Sequence, residues 1–581
     1  MNRHGSLTAL DDWLAWLETL SPREIELGLD RVQSVLSRME LPRPKHVIHV
    51  AGTNGKGSTA AMLEAMFTGA GMRVGCYTSP HVRRFNERMR VQGRELDDET
   101  IIAAFRVVEA ARQKVILTYF EFGTLAALAA FAKAGTDVLV LEIGLGGRLD
   151  AVNAVDPDAA IITNVTLDHC DWLGDDIESI AVEKAGVMRR GIPVVFGSEQ
   201  VPAAIIAEAA RHGADLRLTG RDFRYGDDGD SWHWHGRTQS LGDLQKPALA
   251  GAFQLQNAAA VLAVMEALGL EAMLDAPDVN AAMQRLSLPG RLQQIAGQRR
   301  WLLDVAHNPD AARVLGAALP DISASGRLVA VIGVLADKDV DGIVAPLCSS
   351  VDAWIAVPAG NPRALAAEAL AARVASHCDK PCRIADSVAA GLALAASLTS
   401  ADDQILVTGS FDTVGPAPGV PRQDGAGCGV SMRCHCEAAG RGCTVIARLP
   451  EAAVAISFRL AESRAVPGRH VAALLAMTGV HRHCEAAGGS RGNLVPAGRV
   501  TGCARSPRRC APRDDGGASS LRGCRRQPWQ SRSGWQSHAG ARSPRRCAPR
   551  DDGRRRWCCS GRHCRPYAVR RIFCCHCHVN K

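Results

Sequence analysis

Short apolar runs recur along the first 415 residues, and stretches with helical spacing lie between them. Residues 46–50 (HVIHV) read as a buried strand that runs into the glycine-rich Gly52–Gly57 and then into the helix formers of Ala60–Ala70. Residues 137–143 form a second apolar run, closed by Gly144, Gly146 and Gly147. Residues 159–164, 192–197, 301–305, 328–334, 353–357 and 404–408 are similar, and helical patterns occupy 99–112, 122–134 and 364–376. This alternation predicts an α/β fold with parallel sheets covered by helices on both faces. Sheets of that kind take ligands at the carboxyl ends of their strands. Leu288–Arg291 (LPGR) reads as a junction, because the pattern restarts at Trp301–Val305, so a domain boundary is placed near 290.

Composition divides the chain again. Its 581 residues carry a formal charge of +8, with 47% hydrophobic and 22% charged residues, enough for a sizeable core. Residues 1–415 have a balance of −13 and five cysteines; residues 416–581 have +21 and fifteen. This tail repeats ARSPRRCAPRDDG at 504–516 and 541–553 and shows no apolar period, so it is expected to be disordered or poorly structured. Frame-shifted or read-through translation is the preferred origin. Its arginine pairs could meet phosphates, and Cys574–His578 could meet zinc, but no recognised module or second ligand pair completes either site. No run is long enough to span a membrane. Asp11, Asp12 and Glu18 argue against a secretory leader, so the expectation is a cytoplasmic protein.

The candidate chemistry sits at strand ends. Gly52-Thr-Asn-Gly-Lys-Gly-Ser58 follows a strand and opens a helix, where backbone N–H groups can cradle phosphate. It departs from the usual phosphate-loop pattern: Val50 holds the first glycine position and Gly57 separates Lys56 from Ser58. Taken alone, it also fits a strained turn. Glu142 ends a buried strand, where a carboxylate is costly unless paired or metal-bound. Asp168–Asp171 (DHCD), Lys184 and Asp304–Pro309 (DVAHNP) are each open to a plainer structural reading.

Together these segments resemble the folylpolyglutamate synthase/dihydrofolate synthase family of the Mur ligase superfamily. The matching stretches are 49–59 (HVAGTNGKGST), 78–82 (TSPHV), 117–123 (LTYFEFG), 141–153 (LEIGLGGRLDAVN), 162–174 (ITNVTLDHCDWLG), 182–187 (VEKAGV), 288–292 (LPGRL), 303–309 (LDVAHNP) and 407–415 (VTGSFDTVG). They keep the family's order over about 1–415. The resemblance implies a P-loop, parallel-sheet domain binding ATP and pterin over 1–290. A smaller Rossmann-like glutamate-ligase domain would follow over 291–415, with 416–581 as an unmatched tail. It also implies amide ligation: L-glutamate is added to dihydropteroate and to tetrahydrofolate through an acyl phosphate, in a monomer. The alternatives are an enzyme without dihydropteroate activity, a cell-wall Mur ligase, or an inactive product whose basic tail binds nucleic acid. Membrane and nucleic acid are not expected as partners.

The resemblance also implies roles. Asn54, Gly55, Lys56, Gly57 and Ser58 would cradle ATP, completed by Asn257, Arg291 and Asp304. Ser58, Ser79, Glu142 and His169 would hold two Mg²⁺ ions, and Lys184 would be carbamylated by CO₂ to N6-carboxylysine. Lys56, Lys184 and His307 would be catalytic. Ile25, Glu26, Leu27, Thr118, Tyr119, Phe120, Glu121, Leu149, Asp150 and Ala151 would contact the pterin substrate, and Lys338 and Ser410 the incoming glutamate. One departure stands out: family members commonly read Ser-Phe-His-Thr-Val where this chain has Asp412.

Overall fold

The computed structural model describes residues 7–420 except Glu24 and Ala324, together with the backbone of 431–436, 443–449 and 452–458. The repeats and the Cys574–His578 cluster lie outside the described residues.

The first sheet has eight strands: β1 His46–Ala51, β2 Val74–Tyr77, β3 Met89–Val91, β4 Arg94–Glu95, β5 Val138–Glu142, β6 Ala159–Ile162, β7 Pro193–Phe196 and β8 Asp215–Leu218. Their order is β4-β3-β2-β5-β1-β6-β7-β8. The six from β2 to β8 are parallel, while β3 and β4 add an antiparallel edge. Alternate side chains feed two cores: Val47, Leu139 and Leu141 on one face, Ile48, Val50 and Val140 on the other. That double burial is why these strands read as continuous apolar runs.

A three-stranded antiparallel sheet follows, β9 Arg224–Asp227, β10 Ser231–His235 and β11 Ser240–Gln245. Only alternate residues of β10 are buried, so it offered no apolar run to find. The second large sheet comprises β12 Gln293–Ile295, β13 Arg300–Leu303, β14 Leu328–Ile332, β15 Ala353–Ala356, β16 Cys382–Ile384 and β17 Gln404–Thr408. Its order is β12-β13-β17-β14-β15-β16, parallel except for β12. Cores again cover both faces, with Leu302 and Ile332 on one side and Leu303 and Val331 on the other.

Beyond residue 420, β18 Ser431–Cys436, β19 Cys443–Leu449 and β20 Ala452–Phe458 pair as an antiparallel meander. The rest of 421–581, on which the expectation of a poorly structured tail mostly falls, lies outside the described residues. The sequences CTVIARL and AAVAISF are rich in strand formers.

Candidate active site

The carboxyl ends of both large sheets open into one cavity of about 860 Å³. Its wall includes Asn54 to Ser58, Ser79, Glu142, His169, Lys184 and Asn257 from the first part of the chain. Arg291, Asp304, His307, Lys338 and Ser410 line it from the second. The residues proposed for ATP, metal and glutamate therefore meet in one space.

β1 delivers the phosphate loop to that cavity. Gly52 (φ +136°) and Gly55 (φ +84°) take backbone conformations that disfavour a side chain. A Cβ on Gly52 would lie 1.9 Å from Thr163 Oγ1, and one on Gly55 2.9 Å from Asn257 Oδ1. Gly55 caps the helix Lys56–Gly69, whose first amides face the loop. Lys56 Nζ folds back to donate to the Gly52 and Thr53 carbonyls at 3.1 Å each.

Lys184, on the helix Ile177–Ala185, reaches the same carbonyl: its Nζ donates to Gly52 O at 3.0 Å. Burial, aided by repulsion from Lys56 and opposed by Asp168, lowers its pKa to about 7. A lysine so placed is substantially neutral near physiological pH, the state in which an amine can react with CO₂. Glu142 accepts from the Ser79 amide at 3.1 Å. Burial pushes its carboxyl up, while Lys56, Ser79 and Arg291 pull it down.

The two sheets meet through Asp168. Its carboxylate accepts from Lys338 Nζ at 2.7 Å and from Asn308 Nδ2 at 3.0 Å, and lies 3.7 Å from His307 Nε2. Burial works against this anion, but His169, His307 and Lys338 outweigh it and hold Asp168 well below the usual range. Asn308 caps the helix Pro309–Ile322 and also exchanges hydrogen bonds with Asn54 in the phosphate loop. His307 Nδ1 contacts Val305 O at 2.8 Å. A carbonyl only accepts, so the proton is on Nδ1 and Nε2 carries the lone pair. Burial lowers the pKa of His307 and lowers that of His169 to about 4, leaving both neutral at pH 7.

Of the residues proposed for pterin contact, Glu26 and Glu121 gather around Arg31, while Phe120 and Asp150 stand behind Gly144 and Leu145 of the cavity wall. The Arg31 guanidinium pairs with Glu121 at 2.8 Å and Glu26 at 2.9 Å. Gly28 N donates to Leu149 O at 3.2 Å, drawing the 25–28 segment onto the 149–151 turn. Thr118 and Glu121 form the capping box of the helix Tyr119–Ala134, which therefore starts three residues earlier than its apolar pattern suggested. Asp150 accepts from the Leu145 and Val152 amides, and burial raises its pKa to about 7. Ala151 is buried core. Phe120 packs over Gly144, where a Cβ would lie 2.5 Å from the ring. None of these ten residues lines the large cavity. Ser410 does, but its hydroxyl caps the helix Phe411–Val414, accepting from Thr413 N at 3.1 Å.

Among the described residues, no group of three or more His, Cys, Asp or Glu converges on a metal position. The donors present are one carboxylate, two serine hydroxyls and one neutral imidazole. That is a sparse oxygen-rich set, suited to a hard cation that keeps waters and phosphate oxygens as ligands.

The arrangement matches known proteins. The Mur ligase middle domain model covers residues 50–265, and the Mur ligase glutamate ligase domain model covers 290–411. The dihydrofolate synthase/folylpolyglutamate synthase of Escherichia coli is 42% identical over 406 residues, 70% of this chain and 94% of the relative. The chain belongs to the dihydrofolate synthase/folylpolyglutamate synthase family. It has the Mur-ligase fold, and the family's members are ATP-dependent ligases. Escherichia coli FolC in complex with DHPP and ADP superposes with a TM-score of 0.66 at 42% identity, covering 70% of this chain and 96% of that one. A bifunctional member with Mn, AMPPNP and L-glutamate bound gives 0.65 at 42% identity, covering 70% and 97%. No described helix is long and apolar enough to cross a membrane.

Sequence reasoning missed Asp168 and Asn308, which join the two halves of the family's site, although both stand inside motifs it singled out. Asn308 carried a readable signal: Asn before Pro is a helix start. Asp168 carried none, because its partners are 140 and 170 residues away.

Proposed function

We propose that the chain ligates L-glutamate to dihydropteroate and to tetrahydrofolate at the expense of ATP. The acceptor carboxylate attacks the γ-phosphorus and ADP leaves, giving an acyl phosphate. The glutamate amine then attacks the acyl carbon, and phosphate departs. Residues 1–290 form the ATP- and pterin-binding domain and 291–415 the glutamate-ligase domain. The enzyme is a cytoplasmic monomer.

The observation that carries this reading is Lys184, fully buried against the phosphate loop with its pKa near neutrality. Carbamylation would put a carboxylate in place of that amine in the cavity that Glu142, Ser58, Ser79 and His169 also line, where divalent metal is to bind. Metal there supplies charge neutralisation to the transferring phosphoryl group. The loop amides, Lys56 and Arg291 hold the phosphates, and Asn257 and Asp304 the rest of the nucleotide. Neutral His307 Nε2 accepts the proton that the glutamate ammonium must lose. Asp168 keeps Lys338 and His307 positioned beside it. Catalysis then rests on clamping three charged reactants and on fixed charge, not on a protein nucleophile.

The test is product mass after incubating the full chain with ATP, Mg²⁺, L-glutamate and either acceptor. One glutamate on each supports the bifunctional reading. Addition to tetrahydrofolate alone limits it to polyglutamylation, and no addition to either overturns it.

A further inference from the structure

The outer face of β10 carries a feature that the ligase reaction does not use. Trp232 and Trp234 turn inward and are wholly buried. His233 and His235 share the opposite face, with ring centres 5.2 Å apart and planes tilted by 58°. His233 lies across Gly226 of β9, whose missing side chain makes room for the ring. Each imidazole is held through Nδ1: His233 contacts Asp228 Oδ2 at 2.8 Å and His235 contacts Ser240 Oγ at 2.9 Å. A carboxylate only accepts, so Nδ1 of His233 is the donor, and in the neutral ring that binds metal Nε2 carries the lone pair. The Ser240 hydroxyl can accept in the same way from His235. Neither Nε2 has a protein partner among the described residues.

The ring-centre separation is that of a chelating pair. Two imidazoles bonded through nitrogen at about 2.0–2.1 Å to one tetrahedral ion place their ring centres on the order of 5 Å apart. Metal-bound histidines usually give their other N–H to a carboxylate or similar acceptor, which fixes tautomer and ring orientation. Asp228 and Ser240 stand in those positions. The register sets Arg224 opposite His235, so a cation held by charge alone gains little here. An ion with strong affinity for imidazole nitrogen gains two bonds.

We propose that His233 and His235 bind one divalent transition ion of the zinc, nickel or copper type, with water completing its shell and Asp228 orienting His233. The site is separate from the phosphate cavity, and none of these residues lines it.

The experiment is a calorimetric titration of the full chain with Ni²⁺, in parallel with His233→Ala, His235→Ala and Asp228→Asn. Cysteine and histidine clusters elsewhere in the chain contribute equally to all four and cancel. The expected result is one site fewer in each histidine variant, with glutamate ligation unchanged. Asp228→Asn should keep the site and weaken it by about 10–100-fold. The same stoichiometry and affinity in all four proteins overturns the proposal. Loss in only one histidine variant overturns the pair as a joint ligand set. Should either alanine variant lose the fold, as read by its melting temperature without metal, His233→Gln and His235→Gln must still each lose the site, and retention by either overturns it.

Discussion

The residues around the phosphate loop and those around Arg31 are equally buried in chemistry, yet their charges are in opposite states. Around Arg31 every charge is already answered. Glu26 and Glu121 share the guanidinium, and Asp150 takes backbone amides. In the cavity, Lys56 and Lys184 share one carbonyl and no direct carboxylate, and Arg291 lies over the Phe411 ring. Asp168 is paired, but to a lysine from the other sheet. Saturated charges build a scaffold. Unsaturated ones, held in place at the expense of folding stability, wait for a polyanion.

The sharpest way to break this comparison is Lys184→Ala. It should lower ligation by on the order of 10²–10³ or more while leaving the circular dichroism melt near wild type, because it removes one hydrogen bond, to Gly52 O, and no ion pair. In the unmodified chain, activity should rise with pH across about 6–8 and with added bicarbonate. The sign follows from the amine: with its pKa at about 7, its CO₂-reactive neutral fraction grows as pH rises. A rate indifferent to bicarbonate, or a Lys184→Ala enzyme of near-normal rate, would falsify the carbamate assignment. Glu142→Gln should follow, with about 10²-fold lower turnover measured at saturating ATP and metal.

Asp168→Asn comes next. It keeps the size and loses the charge that holds Lys338. Its effect should appear as a roughly 10–100-fold fall in kcat/KM for glutamate with the KM for ATP little changed. Equal losses for both substrates would make Asp168 a merely structural link. On the other side of the comparison, Glu121→Gln should act on stability first. Leaving the part-buried Arg31 half-paired should cost about 1–2 kcal/mol in a urea melt. The smallest effect on stability belongs to Thr118→Ala, about 1 kcal/mol through loss of one helix cap, read in the same urea melt.

Much of this was legible before any coordinates. The buried parallel strands read as continuous apolar runs because both their faces are covered, as in β1, β5 and β17. Glycines 52 and 55 announced a phosphate loop because only that residue tolerates the turn. β10 stayed hidden because it is half-exposed. At the site, type and place were readable for Lys56, Glu142 and His307. State was not. That Lys184 is neutral enough to react, that the hydroxyl of Ser410 is spent on a cap, and that Asp168 joins the sheets all depend on neighbours distant in sequence. For the pterin-side residues motif likeness marks contact, and what their sequence does not reveal is that Glu26 and Glu121 also pair with Arg31.

β17 is the last strand of its sheet to be made and one of the innermost, between β13 and β14. During synthesis, proceeding at about 5–20 residues per second, β13 and β14 emerge without the neighbour that joins them. The glutamate-ligase half cannot close until Thr408 has left the ribosome, whereas the first large sheet is complete once Leu218 is out. A chain cut between Ile332 and Gln404 would carry a finished phosphate loop and an open, adhesive pair of strand edges. What is translated once Thr408 is clear of the ribosome is therefore made while that sheet is already able to seal, and its presence need not delay assembly of the site.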